Sequence, residues 1–87
     1  MSTKGSNPFT VARLEDMEVF LHEIEDEYIR ARQKFDAFNN AHEGYAVMLE
    51  EVDEVWSEVK HKTTYQHFRE ELIQVAAMAM AMALELK

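Results

Sequence analysis

The sequence predicts an all-α chain of three helices that assembles as an oligomeric bundle, and three observations carry that prediction. Only two glycines and one proline interrupt 87 residues rich in Ala, Leu, Met, Glu and Lys, the strong helix formers. Apolar residues recur at alternating spacings of three and four, the seam of a packed helix. Good capping residues stand at the two places where that pattern lapses. A chain this short forms one domain at most and buries a small share of its surface, so its stability calls for help from outside.

Residues 1–9 hold Gly5 and the only proline, Pro8, and read as a mobile arm, with a single domain over 10–87. Thr10 is the expected N-cap of the first helix. Its seam is Leu14, Met17, Leu21, Ile24, Tyr28, Ala31, Phe35 and Phe38, and the facing acids, Glu15 to Glu27, read as a solvated surface. The pattern weakens after Phe35. Asn40 with Glu43 three residues on has capping-box spacing and opens a second helix. That helix carries Tyr45, Met48, Leu49, Val52, Val55, Trp56 and Val59 on one face, with Trp56 read as core, and ends at Lys60-His61-Lys62, cations suited to a helix C-terminus.

Thr63 and Gln66 have the same box spacing and open a third helix. Within it, Val75 to Leu84 alternates small and long side chains, but Ala and Met are poor strand formers, so the segment reads as helix. As a helix it is apolar all round, which predicts burial on every side. Two neighbours cannot provide that, so the third helix is expected to pack against a second copy, in a dimer or tetramer.

Composition excludes several classes of function. The absence of cysteine removes disulfides, thiolate metal sites and a cysteine nucleophile, and a cytoplasmic location is the default expectation. Seventeen acidic against nine basic residues give a net charge of −8, which repels a nucleic-acid backbone. The longest apolar run, Val75 to Leu84, is about half the length of a membrane span. No two histidines have the i, i+4 spacing of a zinc-binding helix.

The acids of the second helix are the candidate chemistry. Glu51 and Glu54 lie one turn apart, as do Glu71 and Gln74 on the third helix, and each pair clusters its oxygens on one face. Two such helices side by side offer an oxygen site for a hard cation such as Mg2+. Periodicity alone leaves open whether the pairs meet or point at water.

Two stretches, His42 to Lys60 and Arg69 to Ala79, together with Lys34, Phe35 and Phe38 ahead of them, resemble the MazG-like members of the all-α nucleoside triphosphate pyrophosphohydrolases. The likeness runs from about Arg30 to Ala83, more than half the chain. Members of that superfamily carry an ExxE, spacer, ExxD pattern whose acids bind magnesium, and they cleave a nucleoside triphosphate to monophosphate and pyrophosphate. The resemblance implies magnesium ligands at Glu51, Glu54 and Glu71, with Gln74 standing where the family has aspartate. It implies that Glu50 or Glu54 orients the attacking water. Lys34, His42, Lys60 and Arg69 are the expected substrate contacts. A second expectation, from another class, is a non-catalytic helical oligomer or protein-binding module that keeps the fold with a weakened metal site.

Overall fold

The computed structural model describes residues 11–86, so the arm expected over 1–9 and the cap expected at Thr10 lie outside the described part. Three helices of equal length follow one another: α1 (Leu14–Lys34), α2 (Ala41–His61) and α3 (Tyr65–Glu85). Among the described residues there is no strand, and no helix is long and apolar enough to cross a membrane.

The helix ends follow from local chemistry. Asn40 is the N-cap of α2: its side chain accepts from the Glu43 amide at 2.9 Å. Glu43 reaches back to the amide of Asn39, at 2.6 Å, one residue before the position a standard capping box uses. At the far end, Lys62 takes the left-handed conformation (φ 53°) that closes many helices. The N-cap of α3 is Thr64, not Thr63, and its hydroxyl accepts from the His67 amide at 3.2 Å. Thr63 is already engaged, donating its hydroxyl to Glu58, and Gln66 bonds Glu70 instead.

Helix α3 lies between the other two. It packs against both, whereas the Cα traces of α1 and α2 nowhere come within 8 Å of each other. Ala77 and Ala81 are fully buried, and with Met78, Ile24 and Ala31 they form the core. Small side chains let the helices approach closely. Gly44 of α2 serves the same end, because a Cβ there would stand 2.9 Å from Met82 and 3.1 Å from the Phe38 ring. The pairs Glu23 with Arg69 and Arg32 with Glu85 show α1 running parallel to α3; Gly44 beside Met82 shows α2 running antiparallel to it.

Much of the expected core is not covered within the chain. On α1, Leu14, Met17 and Leu21 are exposed, as is Phe35 at its C-cap, and burial begins only at Ile24. On α2, Tyr45, Leu49, Val52, Trp56 and Val59 face outward; Trp56 is 57% exposed, with the Lys60 ammonium over its ring, so it is not a core residue. The reason is the arrangement itself: α2 has one neighbour, and a single neighbour covers only part of a wide apolar face. Burial of α3 is partial too, with Ala79, Ala83 and Leu84 exposed. The radius of gyration, 15.3 Å, exceeds the ~12 Å of a compact domain of this length.

A polar clasp fixes the C-terminal end of α3. Glu85 accepts from Tyr28 Oη at 2.7 Å, from Arg32 through Nη2 at 2.8 Å and through Nε, and from the Phe38 amide at 3.2 Å. The carboxylate thus ties α3 to α1 and to the α1–α2 turn. The Arg32 guanidinium, helped by Tyr28 and the Phe38 amide, holds its pKa down at about 2. A lowered acid pKa contributes stability that is present above the usual carboxylate range and lost as pH falls through 2. Glu85→Gln is therefore expected to lower stability at neutral pH by about 1–2 kcal/mol after screening, read as a drop in Tm, with the difference from the parent closing in strong acid.

Candidate metal centre

Heptad-like spacing turns α2 so that Gly44, Met48 and Val55 meet α3, which leaves Glu51, Glu54 and Glu58 along one margin of the contact. On α3, Glu71 falls on the matching margin. Glu51, Glu54 and Glu71 converge: each offers a carboxylate oxygen, and these oxygens lie within 4.8 Å of one another. Glu51 and Glu71 are half-buried and Glu54 is exposed at the mouth.

Three carboxylates this close oppose one another's ionisation. Burial, followed by Glu54, Glu51 and Glu58, pushes Glu71 up to about 7. Burial and Glu54 raise Glu51 as well, and Glu27 of α1 adds to it across the cleft. One oxygen each of Glu51 and Glu71 is buried with no hydrogen-bond partner. Buried acceptors normally find a donor, so these two lone-pair sites fit a cation.

The other anticipated residues are dispersed. Glu50, two faces round α2, is exposed and its carboxylate is not one of the converging three. Gln74, one turn beyond Glu71, lines a cleft between α1 and α3 with Glu23, Glu27, Arg30 and Arg69. Lys34 and His42 are exposed at the α1–α2 turn, the former over the Phe35 ring, and Lys60 sits at the opposite end of α2 over Trp56. Arg69 is paired with Glu23 at 2.5 Å and lies over Phe20.

Glu23 and Glu27 were expected on a solvated face, yet both are half-buried and turned toward α3. Each directly precedes a residue of the packed seam, Ile24 and Tyr28, and that adjacency is the signal in the sequence that marks them. Arg30, bound to Glu27 at 2.7 Å, is a cleft cation that spacing did not single out. Comparison with protein families, curated proteins and solved structures gave no match to this chain.

The raised pKa of Glu71 sets a pH dependence. An acid that holds its proton more tightly when folded contributes stability in full below its ordinary pKa of 4.5, and that contribution is lost as pH rises through 7. In chelator, Tm is expected to fall over that interval. Glu71→Gln lessens the fall: discounted for screening to about 1 kcal/mol, the variant melts about 4–8 °C above the parent on the alkaline side and level with it near pH 4–5.

Proposed function

We propose that the chain is a Mg-dependent hydrolase that splits a nucleoside triphosphate into monophosphate and pyrophosphate, in the manner of the MazG-like proteins its sequence resembles, with nucleotide-pool house-cleaning as its role. The observation that carries this reading is the convergence of Glu51, Glu54 and Glu71, with two buried carboxylate oxygens lacking donors. These three would hold the metal. Bound magnesium neutralises phosphate charge and polarises the phosphoryl group under attack.

The chain's own residues divide the remaining work. Glu54, the exposed member of the cluster, would orient the attacking water and accept its proton, a role that Glu50, outside the cluster, is less suited to. Half-burial of Glu51 and Glu71 strengthens their hold on a cation by lowering the local dielectric. Gln74, one turn beyond Glu71, lines the neighbouring cleft and is not one of the converging groups. Arg69 and Arg30 stand in the neighbouring cleft, each held by a carboxylate, and would turn to the polyphosphate only by exchanging that partner.

A second reading, a non-catalytic helical oligomer or binding module, is favoured by that same cleft, where Glu23, Asp26, Glu27 and Glu70 outnumber the two arginines. Turnover separates the two. Incubated with magnesium and a panel of nucleoside triphosphates, the chain is expected to release monophosphate and pyrophosphate in equal amounts. Glu54→Gln lowers the rate by about 100-fold or more with helix content unchanged. No turnover on any nucleotide, with no magnesium-dependent nucleotide binding, overturns the hydrolase.

A further inference from the structure

The two margins of the α2–α3 contact differ. One carries Glu51, Glu54 and Glu71; on the other, α2 presents Tyr45, Leu49, Val52, Trp56 and Val59, and α3 presents Tyr65, Leu72, Ala79 and Ala83, all exposed. Because the acids of the two helices meet, the apolar strips opposite them also share one side. Helix α1 continues that side: Met17 and Leu21 line a groove of about 700 Å³ with Tyr65, Phe68 and Leu72. The described chain is thus two-sided, with acids and a cleft on one face and an open apolar surface on the other.

That surface is larger than a monomer ordinarily shows. Ten large side chains along it, three from α1, five from α2 and two from α3, are each more than a third exposed. At roughly half exposure they present on the order of 800 Å², above the ~300–600 Å² patch of a typical monomer and equal to what each partner gives a stable interface.

The pattern along α3 identifies the occupant. Its open side is bulky in the first half (Tyr65 and Leu72 exposed, Phe68 half-buried) and small in the second (Ala79 and Ala83 exposed, Ala76 half-buried). Laid antiparallel on a copy of itself about Val75 and Ala76, the strip sets Phe68 against Ala83 and Leu72 against Ala79, large into small at both pairs. The α2 strip has its own centre at Val52, with Tyr45 and Val59 equidistant from it. Val52 stands level with Ile73 and Gln74 along the bundle, close to the α3 centre, since Gly44 lies by Met82 and Glu54 by Glu71. One two-fold axis therefore serves both helices. The α3 strip also carries no charge, so two chains of net charge −8 meet where they repel least.

We propose that two copies of this chain pack face to face through this surface, α3 antiparallel to α3 and α2 to α2, about a two-fold axis at Val52 and Val75, with both carboxylate clusters facing outward. The chain has no cysteine, so introduced thiols report the geometry directly. Val52→Cys, on the axis, is expected to form a disulfide-linked dimer by itself under mild oxidation, whereas Asp53→Cys, pointing away, does not. Leu72→Cys and Ala79→Cys are expected to cross-link to each other when the two variants are mixed, and far less when each is alone. Ala79→Glu, at an exposed position, leaves helix content intact and weakens self-association about 100-fold or more in sedimentation equilibrium. A folded monomer at micromolar concentration overturns the proposal, as does a dimer that Val52→Cys fails to trap or that Ala79→Glu leaves unchanged.

Discussion

Among the described residues close helix packing passes through α3, because the Cα traces of α1 and α2 nowhere come within 8 Å of each other. What makes that possible is the absence of bulk at Ala77 and Ala81, where side chains no larger than a methyl let two helices pack against a third without a gap. The clasp at Glu85 and the carboxylate cluster at Glu71 sit at opposite ends of the same helix, so both depend on how α3 is seated. A larger residue at Ala77 or Ala81 would part the helices, misplacing Glu71 against Glu51 as surely as it would break the core.

Local chemistry made the helices legible. Asn40 with Glu43, and the run Lys60-His61-Lys62, mark ends that the structure reproduces, because capping depends on residues within one turn. The second cap is off by one, and the cause is not local to the box: Glu58, from the preceding helix, takes the Thr63 hydroxyl and leaves the cap to Thr64. Periodicity grouped the apolar residues into faces, of which the structure covers only part. It could not say what covers them, and so Leu14, Leu21 and Trp56 were expected in a core that one neighbouring helix is too narrow to supply.

The same division holds at the candidate site. Glu51 and Glu54 are legible as a pair because one turn of helix joins them, and Glu71 through its own spacing and the family resemblance. Glu27 was not legible. Its influence on Glu51 comes from a third helix, placed by packing at Ile24 and Ala31 and not by any motif. The proximity of Arg69 to Glu23 is likewise a product of the parallel α1–α3 arrangement, with no signature in either segment alone.

The chain carries a small core and, beside it, three carboxylates that resist being charged together. For a domain of this length, stability is a few kcal/mol at most, so a repulsion of about 1 kcal/mol is a sizeable fraction of it. The two compensations proposed above would act on opposite sides of α3: a cation among the acids, and a second copy over the apolar strip. They act by different physics, one by charge and one by burial of area, and they share no side chain. Covering the strip would leave the acids still repelling one another. A chain that stabilised itself by replacing those acids would lose the site; one that does so by covering the opposite face keeps it.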